Sequence, residues 1–192
     1  MTQSHKLVKK CELTNGPSES DDMNFVEWHP KGNAILCGGK DYMLWLMNGA
    51  TGDFLASLSG HEAEVLSAKF THLNGGKLII SSSADKTIRV WSPIKQECLR
   101  VIKKTKMNQN FHTVDIHLIE LHPAQPVVVS GDLNGMMCIS NYNTGEIGGV
   151  LGQHTDSVEG IAFCLHPTTP YCVTCGMDTE LHIYNLKENG LR

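Results

Sequence analysis

The chain has 192 residues, of which 41% are hydrophobic and 19% charged, and its formal net charge is −4. This composition is ordinary for a globular protein and argues against disorder along the whole chain. The longest apolar stretches have four to seven residues, far fewer than the roughly 20 that a transmembrane helix needs. We therefore expect no membrane segment.

The N-terminus and the cysteine content bear on location. The first residues, MTQSHKLVKKCEL, are polar and lack the apolar centre of a secretory signal. The seven cysteines are an odd number without the spacing of a disulfide framework, which favours free thiols in a reducing compartment. We expect a cytoplasmic protein, with the nucleus as the alternative.

Charge is distributed in blocks. Residues 65–106 contain nine basic and two acidic side chains, a net charge of +7, whereas residues 12–64 and 107–192 each have a net charge of −7. Such blocks steer charged partners in some proteins, but a solvated surface is the simpler interpretation. The basic block lacks interleaved aromatic residues, so we do not expect it to bind nucleic acid.

Segments rich in β-forming residues, bounded by polar turns, occur in groups along the chain. One group is VLSAKF (65–70), KLIISSS (77–83) and TIRVW (87–91). The arrangement returns at Leu118–Leu121, Val127–Ser130 and Met136–Ile139, and again at Val158–Phe163, Tyr171–Thr174 and Leu181–Tyr184. No stretch shows helical periodicity over ten or more residues. The pattern predicts an all-β fold.

These groups belong to an internal repeat, which is visible in four turn residues. They are separated by 44, 49 and 44 positions: Asp41, Asp85, Asn134 and Asp178. Other columns keep the same register, including Val65, Val114 and Val158 at the start of a strand and His61, Asn110 and His154 four residues earlier. The spacing matches the roughly 40–45 residues of a four-stranded propeller blade. We predict blades at 14–58, 59–104, 105–151 and 152–192, preceded by an outer strand at 1–13.

Residues 59–104 resemble a WD40 repeat throughout, with the pair Gly60-His61 and the string SSSADKTIRVW (81–91). The resemblance implies a buried hydrogen-bonded set that consists of His61, Ser81, Asp85 and Trp91. Residues 152–192 keep a weaker version, which consists of His154, Thr174, Asp178 and Tyr184. In the other two blades Met47 and Ser140 stand where the repeat places tryptophan, so we expect most of the set to be missing there.

The same residues argue against catalysis. A buried aspartate and a buried indole N–H both need partners, so a His-Ser-Asp trio has a structural explanation, and we expect no enzyme and no catalytic residues. The sequence has no glycine-rich phosphate loop. In Cys172-x-x-Cys175 the thiols point to opposite faces of a predicted strand. His112, His117 and His122 have no ligand spacing and are interpreted as incidental. We expect no metal and no cofactor.

Several strings resemble the angio-associated migratory cell protein family of eukaryotic propellers. They are FVEWHPKGN (25–33), NGATGD (48–53), SNYNTGE (140–146) and DSVEGIAFC (156–164). The family includes a chaperone dedicated to a ribosomal protein, so the resemblance implies a non-enzymatic scaffold or assembly factor, a role in ribosome biogenesis, and a protein partner with a basic segment. Family members have about twice as many blades. Four blades are thus half of a seven- or eight-bladed WD40 propeller.

The sequence allows three arrangements of the four predicted blades. Lys6–Leu13 has the pattern of an outer strand that belongs to no blade, and only NLKENGLR follows Tyr184. The chain is then a fragment of a longer protein, half of a homodimer that forms an eight-bladed ring, or a closed four-bladed ring. Open blade edges also allow a different function, that of an architectural subunit in a larger complex.

The predicted partner-binding surface is the rim formed by two kinds of loop, those entering the innermost strands and those joining the second and third strands. These loops supply Glu62, Glu64, Lys86, Thr155, Asp156 and Thr179, together with Asn108–Phe111. A rim rich in acids suits a basic peptide, although simple solvation explains any one of these residues equally well.

Overall fold

The computed structural model describes residues 22–164 and 171–186. In this part the chain forms 15 β-strands in four antiparallel sheets, and strands that follow one another in sequence are neighbours within each sheet. The only helical segment of the described residues is a 3-10 turn at Leu73–Gly75, and none of their helices is long and apolar enough to cross a membrane. The prediction of an all-β fold built from propeller blades is confirmed.

We call the sheets blades one to four. Blade one contains β1 (Met23–Trp28), β2 (Ala34–Gly39), β3 (Leu44–Asn48) and β4 (Phe54–Leu58). Blade two contains β5 (Val65–Phe70), β6 (Ile79–Ser83), β7 (Ile88–Ser92) and β8 (Glu97–Ile102). Blade three contains β9 (Ile116–Leu121), β10 (Val127–Asp132), β11 (Met136–Asn141) and β12 (Ile147–Gln153). The described part of blade four contains β13 (Val158–Phe163), β14 (Tyr171–Gly176) and β15 (Leu181–Asn185). The predicted outer strand at 1–13 lies outside the described residues.

The blades pack face to face, which explains why their middle strands are apolar without strict alternation. Leu36 and Leu44 of blade one share a buried cluster with Phe70 and Trp91 of blade two. A second cluster joins blades two and three, and a third joins blades three and four. Blades two and three, which have a blade on either side, are therefore buried on both faces.

The first strands of neighbouring blades lie side by side and carry a row of charges. The ammonium group of Lys69 in β5 lies 3.5 Å from a carboxylate oxygen of Glu27 in β1 and 3.5 Å from one of Glu120 in β9. One lysine thus bridges three blades.

The turns between the second and third strands have the same backbone form in all four blades. In each, one residue is left-handed, with φ between 66° and 83°, and its N–H donates to the carbonyl three residues earlier; these residues are Tyr42, Lys86, Gly135 and Thr179. We call the edge where these turns meet the loops that enter the first strands the upper rim. The opposite edge is the lower rim.

Candidate functional site

Blade two holds a hydrogen-bonded set that ties the upper rim to the core. His61 Nδ1 lies 2.7 Å from an Asp85 oxygen, and His61 Nε2 lies 2.7 Å from the Ser81 hydroxyl. The Trp91 indole N–H donates to the same hydroxyl at 2.8 Å. The histidine comes from the entry loop, the serine from β6, the aspartate from the turn and the tryptophan from β7. Four separate segments are therefore held at one point.

The protonation of this set follows from its burial. Burial lowers the pKa of His61, against the opposing effect of Asp85, so the ring is neutral at pH 7 and its Nδ1–H donates to the carboxylate. Burial alone would raise the pKa of Asp85, but hydrogen bonds from His61, Thr87 and the Glu62 N–H outweigh it and hold that pKa well below its usual value. The carboxylate therefore stays charged and fully bonded.

The connectivity Asp85–His61–Ser81 is that of a catalytic triad. The accessibility of the serine hydroxyl distinguishes a catalytic triad from a structural hydrogen-bonded set. The Ser81 side chain is fully buried and its oxygen already accepts the indole N–H of Trp91, so no substrate carbonyl reaches it. The trio acts as a structural clasp between the loop and the turn.

Blade four has a related set. His154 Nδ1 lies 2.9 Å from an Asp178 oxygen, and His154 Nε2 lies 2.8 Å from the Thr174 hydroxyl. The hydroxyl of Tyr184 lies 3.0 Å from Nδ1 of His182, whose ring stacks on His154 with 4.0 Å between centroids. Burial raises the pKa of Tyr184, and a hydrogen bond with Thr174 acts in the opposite direction.

Blade three corrects the expectation that its set is missing. His112 Nδ1 lies 2.7 Å from an Asp132 oxygen, and His112 Nε2 lies 2.7 Å from the Ser130 hydroxyl. All three side chains are buried. The aspartate is two residues before the expected turn position Asn134, whose N–H it accepts at 2.9 Å. His112 is therefore a member of the set and not incidental.

Blade one lacks the histidine but satisfies its turn aspartate in another way. The indole N–H of Trp45 donates to Asp41 at 2.6 Å, and the N–H of Met43 donates to the same carboxylate at 3.1 Å. Trp45 lies two residues before Met47, the position compared with the repeat's tryptophan. The tryptophan is thus displaced along the strand and bonds the aspartate directly.

The histidine-proline turns on the lower rim have their own role. His29 Nδ1 accepts the N–H of Lys31 at 3.2 Å. His122 Nδ1 accepts the N–H groups of Ala124 and Gln125 at 3.1 and 3.0 Å. Burial lowers the pKa of His122, which keeps the ring in the neutral form that these bonds require. His122, too, has a structural task.

One group of side chains in the described residues has the composition of a metal site. Ligand atoms of His154, Asp178 and His182 lie within 4.8 Å of one another. Both nitrogens of His154 are already bonded inside the blade, and His182 Nε2 lies 2.8 Å from a Glu180 oxygen. Because these donors have protein partners, we assign the group to structure and not to metal binding.

The predicted rim residues lie on the upper rim but differ in accessibility. Most are exposed, whereas Glu64 is half-buried; the exposed ones are Glu62, Lys86, Thr155, Asp156 and Thr179. Inclusion of Phe111 in the rim is wrong, because its side chain is fully buried in the cluster between blades two and three. Phe111 anchors the loop, while Asn108 is half-buried and Gln109 and Asn110 are exposed.

Comparison with known protein families finds two copies of a known repeat in the chain. The family profile described as "WD domain, G-beta repeat" matches residues 52–92 and 145–185. Each match begins near the outer strand of one blade and continues through three strands of the next, β4–β7 and β12–β15. The two matches contain the histidine-aspartate pairs with a separation of 24 residues.

Three relatives illustrate the range of similarity. Mouse pre-mRNA-processing factor 19 is 30% identical over 159 residues, which cover 81% of this chain and 29% of the relative. The periodic tryptophan protein 2 homolog of Dictyostelium discoideum is 23% identical over 171 residues, or 88% of this chain and 18% of the relative. Human angio-associated migratory cell protein is 23% identical over 189 residues, which cover 91% of this chain and 42% of the relative. The chain therefore spans less than half the length of each.

Proposed function

Starting from a chain that carries WD40 repeats, we propose that it is a non-enzymatic protein-interaction scaffold that binds a basic protein segment on its upper rim. The observation that carries the proposal is the placement of exposed carboxylates. Glu62 lies at the entry to blade two and Asp156 at the entry to blade four, both exposed on the same edge. Carboxylates spaced along one rim attract a lysine- or arginine-rich segment.

A backbone hydrogen bond to the turn aspartate anchors each loop that carries one of these carboxylates, which favours recognition. The Glu62 N–H donates to Asp85 at 3.1 Å, and the Thr155 N–H donates to Asp178 at 3.0 Å. In blades two and four the clasp therefore holds the residue that follows the histidine. A preorganised rim loses little conformational entropy when a partner binds.

The finer part of the proposal concerns the partner. The angio-associated migratory cell protein resemblance favours a chaperone or assembly factor for a ribosomal-protein-like segment. The name of the mouse relative refers to pre-mRNA processing, a nuclear process. We propose that the chain acts in the cytoplasm, with the nucleus as the alternative.

Binding to a basic peptide tests the acidic rim. A fluorescein-labelled peptide of alternating lysine, arginine and glycine is titrated with the 192-residue chain, and its Kd is read from fluorescence anisotropy. The triple variant Glu62→Lys, Glu64→Lys, Asp156→Lys is expected to bind about tenfold or more weakly. The matched control, Asp53→Lys, Glu97→Lys, Glu146→Lys, makes the same change in net charge away from the upper rim. Equal weakening in both variants would remove the rim from the proposal.

A second candidate is an architectural subunit, which the two end faces of the blade row favour. Val26 and Trp28 of blade one are 68% and 55% exposed, and Leu181 and Ile183 of blade four are 63% and 66% exposed. Apolar side chains on a β-sheet face of this kind call for a covering sheet. Further blades, from a second copy or another chain, would supply it.

Light scattering of the purified chain tests that candidate. A homodimer that closes an eight-bladed ring has twice the 21.1 kDa mass of the chain. We expect the dimer mass, with return to the monomer mass in the variant Leu181→Glu, Ile183→Glu. A monomeric wild-type chain contradicts the homodimer and leaves the rim proposal unaffected, since the latter does not depend on assembly.

A further inference from the structure

The upper rim between blades two and three contains a pocket whose seven lining residues include three lysines. Its volume is about 330 Å³, and its lining includes Lys86, Lys103, Lys104, Thr113 and Asp85. All three lysines come from the basic block 65–106, which the acidic-rim proposal does not use. The pocket therefore gives a defined location to a charge pattern that the sequence shows only as a block.

The three ammonium groups have no carboxylate within ion-pair distance among residues 22–164 and 171–186. Other lysines in these ranges do have such partners, namely Lys40, Lys69 and Lys95. The one carboxylate in the lining, Asp85, is bonded to His61, to the Glu62 N–H and to Thr87. Its charge is directed into the blade, so the open side of the pocket is positive.

The loop that forms one wall is long and ordered. The connection from Ile102 to Ile116 has 13 residues, against six between β4 and β5 and four between β12 and β13. The Asn108 N–H donates to the Thr105 hydroxyl at 3.0 Å, and the buried Phe111 anchors the far end. A long connection held in one conformation is typical of a binding loop.

The opposite wall is equally constrained. Lys86 is the left-handed residue of its turn, with φ of 67°, and its N–H donates to Ser83. The corresponding residues of the other turns are uncharged: Tyr42, Gly135 and Thr179. A cation is thus placed at this position in blade two only among the four described turns.

We propose that this pocket binds a phosphorylated serine or threonine side chain of a partner protein. A phosphate monoester carries a charge between about −1.5 and −2 at pH 7 and has three strong acceptor oxygens, which matches these three ammonium groups better than the single charge of a carboxylate. Lysine binds phosphate as a point charge without demanding planar geometry. Met107, at the tip of the loop, is 99% exposed and offers an apolar contact to a residue beside the phosphate. The proposal goes beyond the binding of a basic segment, since it uses three lysines, of which Lys86 is also a predicted rim residue, and a ligand of the opposite charge.

Fluorescence anisotropy with three labelled peptide libraries tests the proposal on the 192-residue chain. The libraries have degenerate flanks around phosphothreonine, unphosphorylated threonine or glutamate. We expect the phosphothreonine library to bind about tenfold more tightly than the other two, a difference of roughly 1.4 kcal/mol. Equal binding of the glutamate library would identify a general acidic-peptide site and overturn the phosphate assignment.

Substitution of lysines inside and outside the pocket tests whether the preference for the phosphorylated library depends on the pocket. Lys86→Gln, Lys103→Gln, Lys104→Gln is expected to lose the preference for phosphate, whereas Lys31→Gln, Lys77→Gln, Lys95→Gln, with the same change in net charge outside the pocket, is expected to keep it. The same loss in both variants would show a non-specific charge effect and contradict the pocket. If the first variant does not fold, 1H–15N spectra of the wild-type chain test the pocket through the amide signals of Lys86 and Thr113. Shifts of these signals with the phosphorylated library, but not with inorganic phosphate, support a peptide-binding site. The absence of any shift overturns the proposal.

Discussion

The imidazole of His112 lies 2.7 Å from the carboxylate of Asp132, across a separation of 20 residues. The corresponding pairs of blades two and four, His61 with Asp85 and His154 with Asp178, are 24 residues apart. The contact is the same although the spacing differs. Three blades thus use one clasp, and only two of them show it with the regular spacing.

Loss of the clasp in blade three is expected to destabilise the protein strongly. His112→Ala leaves the buried Asp132 carboxyl group without its ring partner, and we expect a loss of about 1–3 kcal/mol because a buried polar group loses a hydrogen bond. The free energy of unfolding from urea titrations measures it. His117→Ala, in the same blade but with a side chain 38% exposed, is the control, with an expected change within about 0.5 kcal/mol. Equal effects would show that the clasp contributes little.

The displaced tryptophan of blade one leads to a second prediction. Trp45→Phe keeps an aromatic ring but removes the N–H that Asp41 accepts, so we expect a loss of about 1–3 kcal/mol in the free energy of unfolding. Trp28→Phe removes an indole that is 55% exposed and should change it by less than about 0.5 kcal/mol. Differential scanning calorimetry on both variants compares them. A larger effect at Trp28 would contradict the assigned role of Trp45.

The clasp of blade two makes stability depend on pH. Because burial lowers the pKa of His61 from 6.5, the unfolded chain takes up a proton near that pH and the folded chain does not. The contribution of His61 to the free energy of unfolding is therefore fully present above about pH 6.5 and decreases as the pH falls below that value.

Urea titrations between about pH 7.5 and 5.5 measure this dependence, and His61→Asn is expected to flatten it. His122, whose pKa burial also lowers, accounts for part of the slope that remains. A slope unchanged in His61→Asn would mean that His61 is not the group that titrates.

The turn of blade three needs a glycine for a local reason. A Cβ atom at Gly135 would meet the carbonyl oxygens of His154 and Asp156, at a φ of 83°. Gly135→Ala is therefore expected to lower the free energy of unfolding by about 2–4 kcal/mol, from backbone strain and displacement of the next blade's entry loop. Thr179→Ala, at the same turn position of blade four with an exposed side chain, should be nearly neutral. Thermal unfolding followed by circular dichroism compares the two.

Much of the fold could be predicted from the sequence, because strand residues and turn residues alternate at a blade-sized period. The repeat spacing predicts the start of the innermost strand of blade three at Val114, two residues too early, because β9 begins at Ile116. In blade three the aspartate that bonds the histidine is Asp132, two residues before Asn134, and the histidine is accordingly His112 and not the residue at position 110. A histidine four residues before each first strand, as at His61 and His154, was the signal that would have found His112.

The pocket at the rim could not be predicted in the same way. Lys86 is 17 residues from Lys103 in sequence, and nothing in the spacing indicates that a turn of blade two and the loop leading into blade three share a cavity. The burial of Phe111 brings that loop against the turn. Proximity of this kind depends on how neighbouring sheets pack.

The sequence by itself determined the strands and the blade-sized period, because both depend on local pattern. The clasp of blade two followed from the resemblance of residues 59–104 to a WD40 repeat, and it agrees with the need of buried polar groups for partners. Only the tertiary structure decided which aspartate meets His112, which indole serves Asp41 and which lysines face one pocket. Those contacts join residues from different strands or blades, and a shift of two residues along a strand preserves the face but changes the partner. Packing between sheets selects among such partners.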